Sequence, residues 1–339
     1  MSDLPPIVLY HYPYSPYARR VIWYLHLRNI PYVQCLQPPI LPRPDLALLG
    51  IQYRRIPLLS IGRDIYLDTR LIIQKLETIP ATAATGIRPP LSPPPGTPAS
   101  LLTALLSDWT TGPAGLFTHA QALLPGSGLP LLQDKAFLRD RADWSNNPVT
   151  RAEAAALRPE AVLAVRQAVE LLEGTVLADG RKWVLGGEGP GLGDIEAVWV
   201  VHWVVGLKGM VKEGEVEEAR FPRVYAWVRR FQERMEALKR KVVAVGGEEA
   251  RGVVAGSGRW EGEIGVDAGD PVVSFYGLKN GMRVKVWPTD SGSGHVDVGV
   301  LLGIDGTEVV WETGKGLRVH APRQGFRVRP EVEEKASNL

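Results

Sequence analysis

Short apolar runs alternate with helix-period apolar stripes over the first eighty residues. Ile7–Tyr12 (IVLYHY) has the length and β-rich composition of a buried strand. Pro13 and Pro16 break it. Tyr17, Val21, Tyr24 and Leu25 then recur at i, i+4, i+7 and i+8, which predicts a helix over Pro16–Arg28. Pro16 suits the first helical position, and Ser15 falls at or just before the N-cap. A second strand is expected at Tyr32–Leu36 and a short helical piece at Asp45–Leu49. The run Ile56–Ile61, the pair Gly62-Arg63 and the run Asp64–Leu67 read as a hairpin. Asp68-Thr69 then opens a helix carrying Ile72, Leu76 and Ile79 on one face. This order predicts a small mixed sheet with helices packed on it, an α/β unit over residues 5–79.

Further along, the periodicity changes twice. Residues 80–98 (PATAATGIRPPLSPPPGTP) read as a Pro-rich, semi-rigid linker. From 99 to 245 the pattern is helical. Leu101, Leu105 and Trp109 share a face, Arg151–Leu177 is a long helical region broken at most by Pro159, and Asp194–Leu207 is apolar on nearly all sides. That last segment should be the buried centre of an all-helical bundle. Pro222–Lys241 is amphipathic, with Val224, Val228, Phe231 and Met235 on one face and arginines and lysines on the other. Residues 246–263 read as a second linker. In 264–330 the runs Val272–Tyr276, Met282–Trp287, Val296–Leu302, Thr307–Trp311 and Gly325–Val328 are split by Asp-Ser-Gly and Asp-Gly turns. Five short strands predict a small all-β domain, a barrel of the SH3-like kind.

Composition sets outer limits. A chain of 339 residues should hold two or three domains. A net charge of +2 gives no global case for nucleic acid. The basic face of 223–241 reads as a solvated face or as a patch for an anionic partner. A single cysteine, Cys35, excludes an intramolecular disulfide and any CxxC redox or zinc motif, so no metal is expected. That suits a reducing compartment, and a cytoplasmic location is expected. The first residues lack the basic start and apolar run of a signal peptide. The apolar stretch Ile195–Leu207 is interrupted by Glu196 and His202 and is too short for a bilayer, so no membrane association is expected.

The candidate chemistry lies at the first turn. A strand, a tight turn and a helix N-terminus bearing the Ser15 hydroxyl form a place to stabilise an anion such as a thiolate. Ser15 is equally a preferred cap, and the residues alone leave both readings open. Tyr14 and Tyr17 flank it and carry hydroxyls of their own. Cys35, in the second strand, reads as a small buried hydrophobe. His11 reads as structural or substrate-lining. Asp108, Trp109, His119 and Trp144 either line a pocket in the helical half or belong to its core.

Four local patterns, in order, resemble the cytosolic glutathione transferase family. Ser15–Val21 (SPYARRV) looks like the S-P-[FY] active-site turn of its serine-type classes. Arg55-Ile56-Pro57-Leu58 resembles the segment whose proline is cis. Asp68-Thr69 stands at the position of the [ED]-[ST] pair. Gly191-Leu192-Gly193-Asp194 is similar to the [ST]-x-x-D cap of the central bundle helix, with Gly191 in place of the hydroxyl residue. Phe221–Trp227 (FPRVYAW) adds to the likeness. The resemblance covers 5–245. The tail after 246 has no counterpart in the ordinary family, so the chain looks like a divergent, fungal-like branch.

The resemblance implies a thioredoxin-like N-terminal domain (5–79), an all-helical domain (99–245) and a glutathione-dependent transferase. A thiol of pKa about 8.5 is mostly protonated at neutral pH, so the protein must stabilise the thiolate. Ser15 is the implied donor, with Tyr14 and Tyr17 as runners-up. A cis Ile56-Pro57 bond would offer the Ile56 backbone to glutathione's cysteinyl amide. The Thr69 hydroxyl and N–H would receive the γ-glutamyl carboxylate and Asp68 the ammonium. Arg55, with Arg54 beside it, would meet the glycyl carboxylate. Glutathione is then the co-substrate, a small hydrophobic electrophile the second substrate, and a homodimer the expected assembly. The competing function is a non-catalytic binding or scaffold protein whose domain at 264–330 recruits a protein partner.

Overall fold

The computed structural model describes residues 4–145 and 151–331. Strand β1 (Ile7–His11) is buried along its whole length. Helix α1 (Pro16–Arg28) follows, with Ser15 as its N-cap and Asn29 closing it in the left-handed conformation. Then come β2 (Val33–Leu36), the single turn α2 (Pro44–Ala47), the hairpin of β3 (Leu58–Ile61) and β4 (Asp64–Leu67), and α3 (Thr69–Glu77). β1 pairs parallel with β2 and antiparallel with β3, with Leu9 opposite Leu59. The hairpin turn requires its glycine. Gly62 has φ 57°, and a Cβ there would lie 2.3 Å from the Gly258 carbonyl oxygen.

The segment 80–98 is held rather than free. Ile87 is buried, the Arg88 N–H donates to the Arg28 carbonyl, and the Glu77 carboxylate accepts from Leu91 and Ser92. The helical part contains α4 (Pro98–Thr111), α5 (Leu116–Leu123), α6 (Lys135–Ser145), α7 (Arg151–Ala156), α8 (Arg158–Gly174), α9 (Leu192–Gly206) and α10 (Pro222–Leu238). The region expected as one helix from Arg151 is two, meeting at Leu157, with Pro159 in the first turn of α8. α9 is the buried centre. With no hydroxyl at Gly191, the Asp194 carboxylate alone caps it, accepting from the Gly191 N–H at 3.0 Å, the Val184 N–H at 2.9 Å and the Trp227 indole at 2.9 Å. Among the described residues no helix is long and apolar enough to cross a membrane.

The C-terminal part corrects three expectations. The stretch 246–263 is not simply a linker: it carries α11 (Gly247–Gly256), whose Ala250 and Val254 are buried. The run Val272–Tyr276 is not a strand but the end of a short helix, α12 (Pro271–Tyr276). Its local signals outweigh its β-rich composition. The Asp270 carboxylate caps the N–H groups of Val272 and Val273, Pro271 fills the first turn, and Gly277 closes it at φ 61°. Finally, the described residues form no closed barrel. Strands β5 (Arg283–Pro288), β6 (Asp297–Ile304), β7 (Glu308–Glu312), β8 (Arg318–Pro322) and β9 (Phe326–Pro330) extend the first sheet. The order is β2-β1-β3-β4-β8-β7-β6-β5-β9, so the all-β character holds while the barrel gives way to one open nine-stranded sheet.

β8 makes the join. It pairs parallel with β4, placing Asp64 opposite Arg318 and Tyr66 opposite His320. A buried charge network rivets it. Asp64 is fully buried and accepts from Arg318 Nε at 2.5 Å and from the N–H groups of Trp260 and Glu261 at 2.7 and 3.0 Å; His320 Nε2 stands 3.3 Å away. His320 Nδ1 lies 2.9 Å from Glu308, and the Lys75 ammonium bridges Glu308 and Glu261 at 2.5 and 2.6 Å. Burial alone would raise the Asp64 carboxyl, but the hydrogen bonds from His320 and Arg318 hold it well below its usual range. Burial would likewise lower His320, and its bonds to Asp64 and Glu308 raise it instead. Because strands alternate, the shared sheet serves two cores. Ile7, Leu9, Leu59 and Tyr66 pack among the helices, while Val8, Tyr10, Leu58 and Ile65 pack with Val284, Leu301, Trp311 and Val319.

Candidate active-site cleft

A cleft of about 1630 Å³ opens where the start of α1, the entry to β3 and the start of α3 face α5, α6, α9 and the loop 289–293. The site residues implied by the family resemblance line it: Tyr14, Ser15, Tyr17, Arg54, Arg55, Ile56, Pro57, Asp68 and Thr69.

Ser15 is placed by the turn that breaks β1. Its Oγ accepts the Ala18 N–H at 3.2 Å, so it is the cap of α1, and it is 2% exposed. The two readings of this residue are compatible, because an accepting hydroxyl still has its own proton to donate. The flanking tyrosines are differently placed. Tyr14 is 52% exposed beside Tyr12. Tyr17 packs against Phe117 and Trp199, with ring centroids 4.7 Å apart in both pairs. Burial pushes both phenols above their ordinary range, so neither is poised to ionise near neutral pH.

Ile56-Pro57 is cis. Asp68 caps α3 with φ 66°, accepting the Arg70 N–H at 3.0 Å and pairing with its guanidinium. Burial would raise its carboxyl, and Arg70 outweighs this to lower it. The Thr69 hydroxyl accepts from Arg20 Nη1 at 2.7 Å and so keeps its proton for an acceptor in the cleft. Arg20 is fully buried and also meets Glu196 and Ser107, which ties α1, α3, α4 and α9 together behind the site. Arg54 is fully buried and bound to Asp140 and Asp143. Arg55 is bound to Asp290 and to the Ser291 carbonyl, both from the loop before β6.

Of the other candidates, Trp144 lines the cleft, and Asp108, Trp109 and His119 do not. His11 is buried against Gln34 and does not line it. Cys35 is fully buried on the other face of the sheet, and burial beside Asp45 pushes its thiol up to about 12, as suits a core residue. Sequence reasoning missed Arg19, Arg43, Arg70, His202 and Asp290, all of which line the cleft. Arg70 and Arg19 stood beside motif residues. Arg43 and Asp290 lie in loops with no periodic signal. Elsewhere, Glu261, Glu308 and His320 are close enough to share a metal ion, but the Lys75 ammonium already supplies the positive charge there.

Comparison with known proteins agrees with this architecture. Residues 9–84 match the family model described as "Glutathione S-transferase, N-terminal domain", and residues 119–240 match "Domain of unknown function (DUF7962)". Among solved structures, a GST-like protein from Pseudomonas syringae is 22% identical with a TM-score of 0.62, over 96% of this chain and all of that one. The Tau class glutathione S-transferase MiGSTU from mango, Mangifera indica, is 14% identical with a TM-score of 0.50, over 74% of this chain and 96% of that one. No curated protein matches. The chain therefore has the glutathione transferase fold: a thioredoxin-like half, a helical half and an added β-sheet. It resembles the glutathione transferase family in sequence through its N-terminal domain.

Proposed function

We propose that the chain is a glutathione-dependent transferase of the cytoplasm, with glutathione bound along the N-terminal wall of the cleft. The observation that carries this is the Ser15 hydroxyl, buried at the positive end of α1 and facing a cleft that also holds Pro57, Asp68 and Thr69. In this reading the Ser15 Oγ–H donates to the glutathione sulfur and lowers the cost of the thiolate. The Ile56 backbone pairs with the cysteinyl residue. Thr69, at the N-terminus of α3, takes the γ-glutamyl carboxylate and Asp68 the ammonium. Arg55 takes the glycyl carboxylate, held in place by Asp290. The thiolate then attacks a hydrophobic electrophile seated against Phe117 and Trp203 on the helical wall; conjugation, ether cleavage and isomerisation all use that nucleophile. A homodimer is part of the proposal, and sedimentation velocity checks it.

Calorimetric titration of glutathione into the wild type and Ser15→Ala tests the reading, together with turnover of a general aryl halide. Binding by both proteins, with turnover only by the wild type, is the expected result. Absence of binding would sink the proposal. Binding without turnover in the wild type would favour the non-catalytic protein whose 264–330 region recruits a partner.

A further inference from the structure

Arg19 lies one helical turn beyond Ser15 on α1, its N–H donating to the Ser15 carbonyl at 3.0 Å. Residues four apart share a helix face, and Arg19 lines the same cleft as Ser15. Its guanidinium is partly buried. The side chain makes a single hydrogen bond, from Nη1 to His202 Nδ1 at 3.3 Å, and no ion pair among the described residues. Burial, reinforced by the Arg19 charge, pulls His202 down to about 4, so the ring is neutral at pH 7 and accepts from Arg19.

This sets Arg19 apart from the other arginines of the cleft. Arg54 is bound to Asp140 and Asp143, Arg55 to Asp290, Arg70 to Asp68, and Arg141 to Asp140. Arg43 is surrounded by the carbonyls of Pro38, Pro39 and Arg54, and Arg139 is exposed. Arg19 is thus a partly desolvated cation with a neutral partner, a costly arrangement unless an anion meets it. Arg19 starts from α1 on the N-terminal wall, and its guanidinium reaches across to His202 on α9, the helical wall of the cleft. The next residue after His202, Trp203, stacks on Phe117 with centroids 5.5 Å apart, and both rings line the cleft. A cation beside a flat apolar wall matches a molecule that is apolar at one end and anionic at the other.

We propose that Arg19, braced by His202, is the anion subsite for the second substrate, which is an apolar acid: a molecule whose hydrophobic body lies on Phe117 and Trp203 and whose carboxylate meets the Arg19 guanidinium. As a statement about the electrophile it rests on the glutathione reading above; as a binding site it does not.

The test is calorimetry on the full chain with two probes of like shape, 1-naphthylacetate and the neutral 2-(1-naphthyl)ethanol, with and without saturating glutathione. The wild type should bind the acid about tenfold or more tightly than the alcohol, the ratio expected of one charge-assisted hydrogen-bonded contact. Arg19→Gln should erase the preference, Arg19→Lys should keep part of it, and the affinity for the alcohol should be the same in all three. A role confined to holding the helices together would lower both affinities alike and would overturn the proposal. So would equal affinities in the wild type, a preference that survives Arg19→Gln, or displacement of the acid by glutathione. The two-probe comparison on the wild type needs no variant, so it stands even if Arg19→Gln does not fold. A protein that binds the acid but not glutathione would refute the transferase reading while leaving this subsite intact.

Discussion

Asp64→Asn should weaken the whole molecule, because Asp64 is the hub of the join between the two halves of the sheet. The carboxylate is fully buried and accepts from Arg318, Trp260 and Glu261, with His320 close by. An asparagine has the same shape but only one accepting oxygen. Its amide nitrogen must therefore face either the Arg318 guanidinium or the two backbone N–H groups, and leaves them without an acceptor. A buried donor so orphaned costs about 1–3 kcal/mol. Arg318 also loses its counter-charge, and breaking a buried ion pair from one side costs about 3–5 kcal/mol. These describe the same loss from two sides and do not add, so about 3–5 kcal/mol is expected in all. Against a total stability of about 5–15 kcal/mol that is a large fraction. Urea unfolding at pH 7 reads it, with Glu170→Gln as a control, since the Glu170–Arg220 pair is half exposed and should contribute less than about 1 kcal/mol. The pH dependence carries a second signature. The folded carboxyl lies below its usual range, so its contribution is present above about pH 3.9 and lost as the pH falls through the folded value; the variant should lack this acid limb. A destabilisation under about 1 kcal/mol, or an unchanged acid limb, would refute the assignment of Asp64 as the hub.

Three further outcomes are expected. Ser15→Ala should raise the apparent pKa of bound glutathione's thiol, read from thiolate absorbance, by about 1–2, the equivalent of one charge-assisted hydrogen bond; Tyr17→Phe should leave it unmoved. His320→Gln should flatten the alkaline side of the stability profile, measured as urea midpoints from pH 6 to 9. The folded imidazole lies above its ordinary value, so its contribution is full below about pH 6.5 and disappears as the pH rises through the folded value. Gly62→Ala should destabilise by roughly 1–3 kcal/mol from its left-handed backbone, and further from the approach of the Gly258 carbonyl, as thermal unfolding will show.

The first half of the fold and the expected cleft residues were legible because local signals agreed. The run Ile7–His11, the prolines after it and the stripe on α1 each pointed to strand, turn and helix, and the hairpin carried its own turn glycine. The added sheet was less so. β8 has arginine and histidine at buried positions, and no alternation reveals a strand whose inward charges are matched by Asp64 and Glu308. Without β8, the remaining strands looked like a separate barrel. The misreading of Val272–Tyr276 weighed β-branched residues above the capping pair Asp270-Pro271 and Gly277, which decided the matter. Arg19 and Asp290 were hidden for another reason: what makes them interesting is the identity of their neighbours, and those come from distant segments.

The late position of β8 bears on how the chain is made. Asp64 and Arg318 are 254 residues apart. At about 5–20 residues per second, roughly 13–50 seconds separate their synthesis. During that interval β4 is an uncovered edge, and Val8, Tyr10 and Ile65 lack the C-terminal part of the core that will bury them. The same charges that later lock the join then act as guards. An unpaired Asp64 on the bare edge disfavours pairing with a stray apolar strand. A strand that brings Arg318 and His320 in register meets that charge, so the rivet of the finished sheet also favours the strand that completes it.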